Sequence, residues 1–138
     1  MTSDIVLVDT SVAIALVVAD HEHHTATADA LGRRRLGLAG HACFETYSVL
    51  TRLPAPLRRT PAVVAQLMDR NFPETRYLGA EATSDIVSRL ADLGIAGGAV
   101  YDAMVGAVSL EHNLTLVTRD RRAVDTYRAM GVETEVLR

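Results

Sequence analysis

The chain has 138 residues, 49% of them hydrophobic, which is one domain's length with enough apolar material for a core. Its formal net charge of -3 excludes a globally basic nucleic-acid binder, and its single cysteine, Cys43, excludes an internal disulfide or a multi-cysteine metal site and fits a reducing cytosol. All 14 basic residues are arginine, which excludes any mechanism needing a lysine amine but supplies the side chain best suited to forked phosphate contacts.

The first element is the apolar run from Ile5 to Val8, closed by Asp9. It shows no alternation, which predicts a strand over about residues 4–9 buried on both faces, as at the centre of a parallel sheet. The stretch from Ile5 to Ala19 has the apolar density of a leader. It lacks a basic start, however, and Asp4 and Asp9 interrupt it, so it reads as strand plus helix. It is also too short and too acidic to span a bilayer, and the expectation is a soluble cytoplasmic protein with no membrane contact.

Thr10 or Ser11 can cap a helix over about 11–18. A second helix over about 22–31 stops at Gly32. Arg35 to Ala39 reads as a short strand. Phe44, Tyr47, Leu50 and Leu53 recur at helical steps, predicting a helix over 41–53. Pro54, Pro56 and Pro61 end it with a stiff loop that carries Arg58 and Arg59. Helices follow over about 61–70 and 80–93, with a strand from Thr75 to Leu78 between them. Gly94, Gly97 and Gly98 mark a break before a mostly apolar helix over about 99–112. Leu114 to Thr118 is another buried strand, 121–130 a helix, and Glu133 to Leu137 a last short strand. Strands alternating with helices predict an α/β fold in one domain over 1–138. Its form is a three-layer α/β/α sandwich on a mostly parallel sheet of four to five strands.

Four acids stand out on this frame. Asp9 and Asp120 both follow apolar strands, at the carboxyl edge where open α/β sheets bind ligands. Both are also good helix N-caps, so each has a structural reading of equal standing. Glu45 lies near the start of its helix, where a negative charge suits the dipole. Asp102 sits in an otherwise apolar helix start, where a buried carboxylate should be neutralised, capped or bound to a cation. Together the four carboxylates would repel one another and raise some pKa values. A hard divalent cation among them relieves this, and oxygen-only ligands favour Mg²⁺ or Mn²⁺. Such an ion beside a phosphate is the machinery of phosphodiester hydrolysis.

Val8-Asp9-Thr10-Ser11, Phe44-Glu45, Tyr101-Asp102-Ala103 and Thr118-Arg119-Asp120 occur in the order and approximate spacing of a known family. On these motifs the chain resembles a PIN-domain ribonuclease, in particular the VapC toxin of a bacterial toxin–antitoxin pair. The resemblance implies divalent-metal-dependent endonuclease activity on RNA, frequent homodimers and a cognate VapB-type antitoxin. It also implies that Asp9 and Asp102 are the main metal ligands. Asp120 would complete the site directly or through water, Glu45 would hold a water or a second ion, and Thr118 would add a hydroxyl contact. The alternatives are a PIN nuclease that is not a toxin and a catalytically silent PIN-like regulatory or RNA-binding module. A receiver domain and a haloacid-dehalogenase-type phosphatase each need a lysine that this chain lacks.

Arg119, Arg121 and Arg122 flank Asp120 and are the candidates for phosphate contacts. The alternative is that surface arginines are solvated or paired, as Arg121 with Asp125. The second reading is favoured for Arg33, Arg34 and Arg35. His21-Glu22-His23-His24 invites a zinc reading but lacks a metalloprotease spacing, so a solvated surface cluster is expected. Cys43 is expected as a small buried residue.

Overall fold

The computed structural model describes residues 4–138; residues 1–3 of the expected domain lie outside the described residues. In chain order the elements are β1 (Ile5–Val8), α1 (Thr10–Val17), α2 (His24–Leu31), β2 (Arg35–Leu38), α3 (His41–Thr51) and α4 (Pro61–Asn71). They continue with α5 (Ala80–Leu93), α6 (Ala99–His112), β3 (Leu116–Thr118), α7 (Arg121–Ala129) and β4 (Thr134–Val136).

The strands form one parallel sheet in the order β2-β1-β3-β4. Alternate strand residues feed two cores, as the pleat requires. Val6, Val8 and Val117 pack with Val12, Leu31, Leu50 and Val64 on one face. Leu7 and Leu116 pack with Leu90, Val105, Val108 and Tyr127 on the other. Both faces are therefore covered by helices, which is why β1 reads as a continuous apolar run. The result is the expected three-layer α/β/α sandwich.

The strand expected from Thr75 to Leu78 is absent; only a single parallel bridge forms, between Ala39 and Arg76. The segment does run along β2, with Glu74 N–H donating to Leu36 O and Arg76 N–H to Leu38 O. The return bond is broken by a side chain, because Leu38 N–H donates to the Thr75 hydroxyl at 3.0 Å. The sheet thus holds four strands among the described residues. Gly37 is what lets this segment approach, since a Cβ there would stand 2.1 Å from Glu74 O.

Helix α1 begins one residue earlier than expected, and its cap is Asp9 rather than Thr10 or Ser11. α2 begins at His24, two residues later than expected, and α3 ends at Thr51. Glu45 falls beyond the first turn of α3, so the expected helix-dipole role at the very start does not apply. Cys43 is half-buried, 3.5 Å from the Tyr77 hydroxyl. Among the described residues no helix is long and apolar enough to cross a membrane.

The chain leaves β1 toward β2 on one side and returns as β3 on the other. The strand order therefore reverses at the carboxyl ends of β1 and β3, where an open α/β sheet leaves a crevice. Asp9 follows β1 there, and Asp120 follows β3.

Candidate active site

The register that pairs Val8 with Val117 puts Asp9 beside Thr118 one step on. Asp9 N–H donates to Val117 O at 3.3 Å, which extends the pairing to the end of the strand. Asp9 is 5% exposed, and its carboxylate is held from every side. On Oδ1 it accepts from Ser11 Oγ at 2.5 Å and from Val12 N–H at 3.3 Å. On Oδ2 it accepts from the Thr118 hydroxyl and from the Tyr127 hydroxyl at 2.9 Å. Burial pushes its pKa up, and these hydrogen bonds pull part of the way back.

Two of the donors are themselves anchored. Arg119 N–H donates to Ser11 Oγ at 2.9 Å, and Asp120 N–H to Thr118 Oγ1 at 3.0 Å. The turn between β3 and α7 is thus tied to Asp9 through two hydroxyls, and it carries Asp120. Asp120 caps α7, accepting from Arg122 N–H at 3.0 Å. For both Asp9 and Asp120 the capping role is therefore real, and it leaves each at the crevice.

Asp102 is half-buried in the first turn of α6. Its pKa is raised by burial first, then by the charges of Asp120, Asp9 and Glu45, with Arg122 opposing. The structure brings the other three acids near enough for each to disfavour a charge on Asp102. Glu45 is exposed, and with Asp120 it lines a cleft of about 720 Å³ beside Asp9.

Do these residues fit a hard cation? The donor set does: carboxylates only, with a repulsion at Asp102 that positive charge would cancel. As the side chains are placed, no three His, Cys, Asp or Glu among the described residues stand close enough to grip an ion. Asp9 shows one reason. A carboxylate offers about four lone-pair sites, and Asp9 already accepts from Ser11, Val12, Thr118 and Tyr127. An ion there would have to share an oxygen or displace a donor.

The arginines divide. Arg119 spends its fork on the scaffold, donating to Thr27 Oγ1 at 3.2 Å and Arg138 O at 2.8 Å, while still lining the cleft. Arg121 and Arg122 line the same cleft. Arg122 is 94% exposed, 3.4 Å from Asp120, and among the described residues Arg121 makes no ion pair with Asp125. Arg34 pairs with Glu135 at 2.7 Å and Arg35 pairs with Glu74, so these two arginines are occupied with acids.

Tyr127 and Ser11 escaped sequence reasoning as site residues. Ser11 carried a signal as a hydroxyl two places after the acid. Tyr127 carried a weaker one: it shares a face of the polar helix α7 with Ala123 and Val124, and a buried tyrosine needs a partner for its hydroxyl.

Known proteins share this architecture and sequence. The PIN domain family model matches residues 6–129. Ribonuclease VapC27 of Mycobacterium tuberculosis is 46% identical over 129 residues, covering 94% of each chain. Ribonuclease VapC40 of the same species is 45% identical over 132 residues, covering 94% of this chain and 96% of the relative. Among solved structures, VapBC2 from Rickettsia felis, bound to a DNA fragment from its promoter, superposes with a TM-score of 0.70. That match has 13% identity and covers 97% of this chain and 99% of that one. PAE2754 from Pyrobaculum aerophilum gives a TM-score of 0.59 at 22% identity, over 97% and 92% of the two chains. At such identities the structures attest the fold, and the curated relatives carry the family. The chain belongs to the PIN-domain family, in its VapC ribonuclease group.

Proposed function

We propose that this chain is a divalent-cation-dependent endoribonuclease and the toxic half of a toxin–antitoxin pair. One arrangement carries the catalytic part: Asp9 and Asp120 stand together at the switch point of the sheet, both bonded to the Thr118 hydroxyl group, with Asp102 on α6 within reach of their charges. In this reading Asp9 and Asp102 hold Mg²⁺ or Mn²⁺, while Asp120 and Glu45 position water. Arg121 and Arg122 bind phosphates of the RNA strand, with Arg119 bracing the turn that carries them. A bound ion would supply Lewis-acid polarisation of a phosphoryl oxygen. Ser11, Thr118 and Tyr127 orient the Asp9 carboxylate, and their hydrogen bonds offset part of the rise in pKa that burial causes.

The toxin half of the proposal draws on the relatives named VapC and on the VapBC structure, and its partner would be a VapB-type antitoxin. A homodimer is also proposed, from the family resemblance alone. The rival reading, a silent PIN-like module, is favoured by the saturated hydrogen bonding of Asp9.

One experiment separates them. Purified protein is incubated with single-stranded RNA in Mg²⁺ or Mn²⁺, with and without EDTA, beside Asp9→Asn. Asparagine keeps an acceptor for Val12 N–H, so the cap on α1 survives. Cleavage that vanishes in EDTA and in the folded variant supports the proposal; cleavage unchanged in either refutes the metal mechanism. Growth arrest on expression, relieved by the neighbouring gene product, tests the toxin assignment.

A further inference from the structure

His21-Glu22-His23-His24 was expected to be a solvated surface cluster. The structure divides it. His24 turns inward, its Nδ1 3.0 Å from Ala15 O, and pins the α1–α2 turn to α1. His21 and His23 instead line the cleft that also takes Glu45, Arg121 and Arg122. The turn is hydrogen-bonded throughout, from His21 N–H to Val18 O and from His24 N–H to His21 O, each at 3.0 Å. His21 is half-buried and so held on a tied-down support.

The ring of His21 has a defined polarity. His23 N–H donates to its Nδ1 at 3.0 Å, so Nδ1 is the acceptor and the proton of the neutral ring lies on Nε2. Among the described residues no third His, Cys, Asp or Glu joins this pair in a metal-holding group. His23 already has a companion in Glu22, 3.2 Å away. His21 Nε2–H is therefore the donor this turn offers to a ligand in the cleft.

We propose that the α1–α2 turn contributes a phosphate-binding wall of the RNA channel, in which His21 Nε2–H donates to a phosphodiester oxygen of a single strand that Arg121 and Arg122 also hold. The inference rests on the RNA reading above. It adds a contact from a segment that none of the four acidic motifs covers. It also explains how an acidic chain offers phosphate donors from both the α1–α2 turn and the start of α7 without an extended basic face.

The test is binding of a fluorescein-labelled single-stranded RNA octamer, followed by anisotropy in EDTA, where no cleavage occurs. Wild type is compared with His21→Ala and with His21→Gln, whose side-chain amide restores a donor at about the reach of Nε2. His21→Ala should weaken binding about 10-fold and raise KM for cleavage while kcat holds. His21→Gln should recover most of the loss, and Mn²⁺ binding should be the same in all three. Equal RNA affinity in wild type and His21→Ala overturns this inference alone. So does Zn²⁺ binding lost in His21→Ala with RNA binding intact. A wild type that binds and cleaves no RNA instead overturns the nuclease reading beneath it.

Discussion

The Tyr127 hydroxyl donates to Asp9 Oδ2 at 2.9 Å, linking positions 118 apart in the chain. Tyr127 is 1% exposed, and Gly106 on α6 makes room for its ring, since a Cβ there would lie 3.3 Å from it. Burial and the neighbouring Asp9 charge push the phenol's pKa up, so it stays a donor. Tyr127 is thus a positioning residue. It acts on the carboxylate from α7, while Ser11 acts from the start of α1 and Thr118 from the end of β3.

Tyr127→Phe removes a hydrogen bond that lowers the Asp9 pKa. A bond to a charged group is worth about 1.5–3 kcal/mol, so cleavage at neutral pH should fall by 10-fold or more. With that bond gone, Asp9 ionises at higher pH, and the deficit should shrink as pH rises. A pH–rate profile parallel to that of wild type would reduce Tyr127 to a packing role.

Asp102→Asn should separate stability from activity. The Asp102 pKa is raised from the ordinary 3.8, by burial and then by Asp120, Asp9 and Glu45. A carboxyl raised by folding favours the protonated native state. Its contribution is full below the unfolded pKa and is lost as pH rises through the folded one. In EDTA, the wild-type Tm should therefore fall relative to the variant as pH climbs from acid toward neutral, leaving Asp102→Asn the more stable but inactive. Mn²⁺ should raise the wild-type Tm at neutral pH and leave the variant's unmoved. Melting curves that track each other at every pH would contradict this.

The arginines around Asp120 should behave differently from one another. Arg121→Ala and Arg122→Ala should weaken RNA binding evenly across sequences, each lowering the salt slope by about 0.7 for a single strand. Arg119→Ala should instead lower Tm, because its guanidinium ties buried Thr27 to the main chain at Arg138. Salt titrations and thermal melts of the three variants check both statements.

Gly37→Ala probes the scaffold. The new methyl would meet the backbone of residues 74–75 at 2.1–2.6 Å, and backbone cannot swing aside as a side chain can. Destabilisation of about 1–3 kcal/mol or more is expected from denaturant unfolding. An unchanged midpoint would mean that the segment after α4 is free to move off β2.

Much of this protein was legible along the chain because burial leaves a periodic trace. The unbroken apolar run at β1, the helical spacing of α3 and the glycine break before α6 follow from which faces meet water, and neighbours in sequence determine that. Asp9, Asp102 and Asp120 stood out for the same local reason, as charges after or within apolar runs. What only the tertiary structure decided is which distant groups those acids meet. The bonds of Asp9 to Thr118 and Tyr127 depend on the register of β1 against β3 and the packing of α7 on α6. The failed strand after α4 turned on one hydroxyl, Thr75, replacing a carbonyl in the ladder. His21 faces the cleft because a tied turn aims it there. Periodicity records whether a side chain is buried; it holds no record of the partner, because that contact closes across the fold and not along the chain.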